Sequence, residues 1–301
     1  MKKKKILIDT DIGNDIDDAI AVCTALQSEE LEVLAITTVY CATDKRAKMV
    51  KALLNSCNRG HIPVYAGSKY PLYVRKRYGK EVDFNAISPQ YSSEFDDVKY
   101  DGDDAVEKII EILENAQEPI NILTIGALTN IAKVLMKKPN LENKIECIYI
   151  MGGGYKWNIE EFNFACDPHA ASFILSSNLK MKLIGVDLTF QCQLTDEHEK
   201  LLANSENETL KILWKMKAGW TQKIHIHDVL ALMCIVDENK YVEFENTNVD
   251  VDYESEKSSG RIVNYTDFNW YRPAKNNQLV GIKVNSKVAV EDCMERLMKF
   301  K

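Results

Sequence analysis

The chain has 301 residues, 46% of them hydrophobic and 28% charged, with a formal net charge of -7. These values describe a globular chain long enough for a large core, and they exclude a membrane-spanning segment, because no apolar run approaches the required length. The negative balance also speaks against a nucleic-acid partner, which would have to meet phosphates with a basic surface.

The opening "MKKKK" is the one dense basic run, but only "ILI" follows before aspartates intervene, so a cytoplasmic protein is expected rather than a secreted one. Short β-branched runs then recur: "KILIDT", "EVLAITTVY", "IPVYAG", "INILTIG", "IECIYIMGG" and "MKLIGVDLT". Between them, helical patterns fall at 17–27, 44–56, 104–115, 128–137, 167–176 and 196–203, with further helix at 208–217 and 227–236. Near-continuous apolar strands separated by helices predict a doubly wound α/β fold with a mostly parallel sheet flanked by helices. Segment 81–100 reads as irregular, and "EFENTNVDVDYE" and "QLVGIKVN" return to strand-like composition. No repeat or linker divides the chain, so residues 1–301 are expected to form a single domain. Eight scattered cysteines, without a C-x-x-C pair or zinc-ligand spacing, read as free thiols in a reducing compartment.

The most informative stretch is "ILIDTDIGNDIDDAIA", Ile6 to Ala21, where an apolar strand runs into Asp9, Asp11, Asp15, Asp17 and Asp18 with no basic residue among them. Carboxylates gathered so closely need a cation, raised pKa values or solvent. Helix capping accounts for one or two of Asp15, Asp17 and Asp18 but not for Asp9 and Asp11 at the tip of a strand. A hard divalent cation, which takes oxygen ligands, accounts for more. In a sheet of this kind ligands sit beyond the carboxyl ends of the strands, where "TIGALTN" and "MGGGYKW" also lie.

"DTDIGNDIDDAIA" resembles the N-terminal signature of the nucleoside hydrolases (inosine-uridine preferring nucleoside hydrolase-like), which typically reads D-T-D-P-G-x-D-D-A-x-A and binds Ca2+. "RGHIPVYAGSKYPL", "IGALTNIAKVL", "IYIMGGG", "EEFNFACDPHAA", "IGVDLT" and "HDVLAL" follow in the family's order. The resemblance implies Ca2+-dependent hydrolysis of the N-glycosidic bond of ribonucleosides in nucleoside salvage, releasing ribose and a free base. It implies Asp11, Asp18 and Asp228 as metal ligands together with the carbonyl of Ile125. By the same resemblance Asp11 would also be the base that activates water and Asp17 a ribose contact. His227 would match the acid for the leaving base found in part of the family, and Glu161 and Asn163 would match residues that hold ribose hydroxyls and the 5′ end. A homo-oligomer, dimer or tetramer, is expected as well. The remaining histidines, His61, His169, His198 and His225, read as surface or packing residues.

The chain departs from the pattern at the substrate contacts. Two extra residues precede the Asp17 and Asp18 pair, which makes Asp15 a competing ligand. Ile12 replaces the usual proline, and Cys41 and Ala42 stand where the family places an asparagine. The loop before "EEFN" is short, with Asn158 a candidate for the missing asparagine and Trp157 a candidate to stack on the base, while Tyr155 and Lys156 compete for the place. Phe190 stands where a histidine often follows. Two other readings remain at this stage: a metal-containing nucleoside-binding family member without turnover, and a haloacid-dehalogenase-like phosphatase with Asp9 as nucleophile.

Overall fold

The computed structural model describes residues 2–77, 79–268, 270 and 272–300. Among the described residues there are ten strands: β1 (Lys4–Thr10), β2 (Leu31–Thr38), β3 (Val64–Ala66), β4 (Ile120–Ile125), β5 (Ile145–Met151), β6 (Met181–Ile184), β7 (Val242–Thr247), β8 (Val249–Val251), β9 (Ile262–Asn264) and β10 (Gln278–Val284). Eight of them form one sheet in the order β3-β2-β1-β4-β5-β6-β10-β7. All its neighbours are parallel except β7, which pairs antiparallel with β10. Strands β8 and β9 make a separate antiparallel pair.

The helices are α1 (Asp17–Leu26), α2 (Thr43–Ser56), α3 (Ala105–Asn115), α4 (Thr129–Lys137), α5 (Phe162–Cys166), α6 (Pro168–Leu175), α7 (Val186–Thr189), α8 (Asp196–Ala203), α9 (Glu208–Lys217), α10 (His227–Tyr241) and α11 (Ser286–Leu297). Successive β1 side chains point to opposite faces, so Ile6 and Ile8 join the core under α1, α2, α10 and α11, while Leu7 joins the core under α3, α4 and α6. Both faces are covered, which is why the strand sequence reads as continuously apolar rather than alternating. Among the described residues no helix is long and apolar enough to cross a membrane.

Two local expectations need correction, and one boundary holds. "MKLIGVDLT" is strand only as far as Ile184; Val186 to Thr189 then turn helically after Gly185. The expected end of helix 227–236 holds: the backbone leaves helical geometry at Asp237 (φ -155°, ψ 94°), and a second short helical segment then completes α10 to Tyr241. Helices α5 and α11 went unread, α5 because five residues are too few for a period to emerge.

The chain turns outward in both directions from the β1/β4 pair, since β2 and β3 lie on one side and β5 and β6 on the other. That is the switch point at which an open α/β sheet leaves a crevice. Asp9, the last inward carboxylate before it, is fully buried and accepts hydrogen bonds from Thr37 Oγ1 (2.6 Å) and Asn130 Nδ2 (2.8 Å), tying β1 to β2 and α4. It does not line the crevice, so the structure gives it the role of a tie between elements and removes the phosphatase nucleophile.

Burial pushes the Asp9 carboxyl up from 3.8 to about 7, against the two hydrogen bonds. The folded chain therefore keeps a proton that the unfolded chain releases in that window, and the stability from this group falls as pH rises from about 4 to 7. Asp9→Asn, which cannot ionise, is expected to flatten the pH dependence of the urea-unfolding midpoint across that window. An unchanged slope would contradict the assignment.

Candidate active site

Just beyond β1 the chain folds so that its carboxylates point inward. The Thr10 hydroxyl donates to Asp18 Oδ1 and accepts from the Ile12 amide (3.1 Å), which bends the strand exit toward the start of α1. Gly13 has a φ of +116°, and its carbonyl accepts from the Ser88 hydroxyl. Gly126, after β4, lies so close to Asp11 that a Cβ there would come within 2.9 Å of the Asp11 amide nitrogen. Residue type at these points is set by how closely β1 and β4 deliver their ends to one place.

Asp15, Asp17 and Asp18 bring carboxylate oxygens within 4.8 Å of one another. Asp17 Oδ2 accepts from the backbone N–H of Asp228 (3.0 Å), which brings the first turn of α10 into the group. None of the three acidic side chains caps α1: Ile16 is the N-cap residue, without a side-chain cap bond. No hydrogen-bonded cap is made, and of that explanation only the charge of Asp17 and Asp18 in the first turn of α1 remains. Asp11, Asp15, Asp17, Asp18 and Asp228 all line one cavity of about 460 Å3, together with Ile125, the last residue of β4.

Solvent cannot be what separates these charges, since Asp11, Asp17, Asp18 and Asp228 are each at most 4% exposed. Burial is the largest influence on all five carboxyls and pushes every one of them up, Asp17 to about 6. Mutual repulsion adds to this at Asp15, Asp18 and Asp228, while Arg46 and Arg77 pull Asp11 down. Two guanidinium groups are too few to offset four buried carboxylates and the half-buried Asp15. A hard cation that takes several oxygen ligands would relieve the same repulsion, so the donor set fits one.

His227, at the N-terminus of α10, has Nδ1 2.6 Å from Thr189 Oγ1. Phe190 meets its ring edge-on at 5.0 Å and His225 stacks at 5.5 Å. Burial holds the ring down at about 4, with Asp15 acting in the opposite direction. Glu161 is the N-cap of α5 and accepts from the amides of Gly153 (3.0 Å), Asn163 (2.9 Å) and Phe164 (3.0 Å). Asn163 donates from Nδ2 to the Met151 carbonyl (3.1 Å), so both residues reach the cavity on a fixed frame.

The loop after β5 contributes Ile159 and Glu160 to the lining rather than Trp157 or Asn158. Trp157 is 43% exposed and packs 5.5 Å from Phe190, and Asn158 is exposed. Tyr155 lies inside the fold, its amide donating to Asp187 (3.0 Å), and Lys156 reaches the Ile282 carbonyl (2.7 Å). Of the histidines read as packing residues, His169 sits between Tyr73 and Tyr253 and His198 closes a capping box on α8. His225 stands nearer to the site than expected. Asn14, Arg77, Pro89, Met151, Phe162, Val186 and Trp220 complete the cavity, beyond the site residues expected from the sequence. They come from aperiodic loops, short helical turns or apolar strand ends, where spacing carries no signal, although Asn14 stands inside the lengthened segment between Gly13 and Asp17.

The sequence model of the inosine-uridine preferring nucleoside hydrolases matches residues 6–291. An inosine-uridine preferring nucleoside hydrolase of Leishmania major is 28% identical, with 98% of each chain covered. A non-specific ribonucleoside hydrolase of Shigella flexneri is 31% identical over 94% of each chain. Among solved structures, a plant nucleoside hydrolase superposes with a TM-score of 0.84 at 24% identity, covering 98% of this chain and 99% of that one. A purine-preferring ribonucleoside hydrolase of Gardnerella vaginalis gives 0.80 at 24%, with 98% of each chain covered. The two structures carry the fold, and the match over residues 6–291 carries the rest: this chain belongs to the inosine-uridine preferring nucleoside hydrolase family.

Proposed function

We propose that the chain hydrolyses the N-glycosidic bond of ribonucleosides, releasing ribose and a free base, with Ca2+ as its metal. The hydrolase activity follows from the family. The observation that carries the metal is the convergence of four buried carboxylates and a half-buried fifth, Asp15, on one cavity at the switch point of the sheet.

Asp11, Asp18, Asp228 and the Ile125 carbonyl would hold the ion, and Asp15 would be a further donor to it or to the ribose. When bound, Ca2+ supplies a Lewis acid that makes a bound water more acidic and orients the sugar diol. Asp11 takes the proton from the attacking water. Asp17 binds the ribose, and Glu161 and Asn163 hold its hydroxyls and 5′ end. Several buried carboxylates around one dication leave negative charge that suits a ribosyl group becoming positive as the bond breaks. Water attacks the face opposite the base, an inverting displacement in which one carboxylate serves where inverting glycosidases use two. His227 faces the departing base, and Trp157 backs it indirectly by packing on Phe190, which meets the His227 ring. The chain works as one domain in a cytoplasmic homo-oligomer.

The test is a panel of ribonucleosides incubated with Ca2+ and, separately, after chelation, with reducing sugar and inorganic phosphate both assayed. One Ca2+ per chain after dialysis is expected, with ribose release that stops on chelation and returns with Ca2+. A chain holding only zinc, or no metal after Ca2+ is supplied, overturns the metal. Nucleoside binding without ribose release would favour a non-catalytic role.

A further inference from the structure

The wall of the cavity nearest β2 is not built by β2. Tyr40 and Cys41, just past that strand in left-handed backbone (φ 66° and 61°), line an adjoining hollow of about 390 Å3 instead. The wall between the two hollows consists of Asn14, Arg77, Pro89 and Phe162, which face both. Asn14 comes from the lengthened segment between Gly13 and Asp17 and is the carboxamide on this side of the site.

Its orientation is fixed by partners that leave no choice. Arg46 has donors only, and its Nη2 donates to Asn14 Oδ1 (3.3 Å). An ionised Asp11 has acceptors only, and Asn14 Nδ2 donates to Asp11 Oδ2 (2.6 Å). Arg46 cannot swing away, because it is buried and also donates to the carbonyls of Ile12 (2.6 Å) and Tyr40 (2.8 Å). The Ser88 hydroxyl holds this segment from the other side through Gly13. An arginine rooted in α2 thus sets an amide, and the amide sets one oxygen of the carboxylate on which the site depends.

We propose that Asn14 is the positioning residue for Asp11, so that the lengthened segment serves to fix the direction in which that carboxylate meets metal and water. The inference rests on the proposed function for Asp11. Partners in the outer shell of a metal site are commonly worth about 10- to 100-fold in metal affinity or activity.

Asn14→Ala is therefore expected to lower kcat on ribonucleosides, and Ca2+ affinity measured by chelator competition, within that range of about 10- to 100-fold. KM and the thermal stability of the chelated protein are expected to stay close to wild type. Asn14→Asp keeps the volume and the contact with Arg46 but cannot donate to an ionised Asp11, so it should lose kcat as Ala does. Near-wild-type kcat in Asn14→Asp would reduce Asn14 to a filler of space, and unchanged kcat and Ca2+ affinity in both variants would overturn the proposal. Wild-type protein that releases no ribose from any nucleoside would instead overturn the proposed function, and the comparison of Ca2+ affinities would still read the effect of Asn14 on Asp11.

Discussion

Asp11→Asn is expected to lose about 10²–10⁴-fold in kcat from the missing base alone, and more where Ca2+ is not saturating. The substitution preserves shape, and Asn14 keeps a carbonyl oxygen to donate to if the new amide turns its oxygen toward it. What disappears is the negative charge and the ability to accept a proton from water. Asp228→Asn separates the two consequences. Asp228 joins the same cavity at the start of α10 and is a proposed ligand but not the proposed base. Its loss should fall mainly on metal affinity, so raising Ca2+ should restore most of the turnover of Asp228→Asn. Saturating Ca2+ should leave Asp11→Asn inactive. Recovery of both variants to a similar level would make Asp11 a ligand only, and near-normal turnover of Asp11→Asn at ordinary Ca2+ would remove it from the chemistry.

What the sequence revealed of this site, and what it hid, follows from where each residue stands. Asp11, Asp17 and Asp18 were legible because an unbalanced acidic run directly after an apolar strand is physically costly and so demands an explanation. Ile125 and Asp228 carry no such anomaly; an isoleucine at a strand end and one aspartate at a helix start are ordinary, and only the resemblance to a family picked them out. Asp15 was legible as a competing ligand, but its placement with Asp17 and Asp18 and its interaction with His227 depend on the path of the inserted segment. Asn14 and Arg77 were hidden for the opposite reason. Their significance comes from Arg46 and Phe162, far away in sequence, with the Arg77 guanidinium 4.4 Å from the Phe162 ring centroid.

The fold shows the same division. Strands β1, β4 and β5 have both faces buried, so their composition announces them, and the resulting parallel sheet locates the crevice before any side chain is placed. "MKLIGVDLT" misled because its apolar run outlasts the strand. Val186 and Leu188 are buried by packing in a helical turn and not by a sheet. Periodicity reports burial first and conformation second, so a short apolar run cannot settle which element buries it.

His227→Ala is expected to lower kcat on nucleosides with poor leaving groups by about 10²–10⁴-fold, equivalent to about 3–5 kcal/mol of barrier. With p-nitrophenyl riboside, whose leaving group departs without a proton, the loss should be far smaller. The structure adds a constraint on how the ring acts. Burial depresses its pKa to about 4, so in the free protein the imidazole is neutral at pH 7, and which nitrogen carries the proton decides its use. Thr189 Oγ1 has one hydroxyl proton and two partners, His227 Nδ1 at 2.6 Å and the Val186 carbonyl at 3.3 Å. When the hydroxyl donates to Nδ1, the neutral ring carries its proton on Nε2, the arrangement in which it can donate a hydrogen bond to a base acquiring negative charge. When the hydroxyl donates to Val186, Nδ1 holds the proton and Nε2 is bare. Thr189→Val removes the donor that selects the first arrangement, so it should reproduce part of the His227→Ala loss on poor leaving groups and little of it on p-nitrophenyl riboside. Equal losses on both substrates in His227→Ala would make the ring a packing partner of Asp228 rather than an acid.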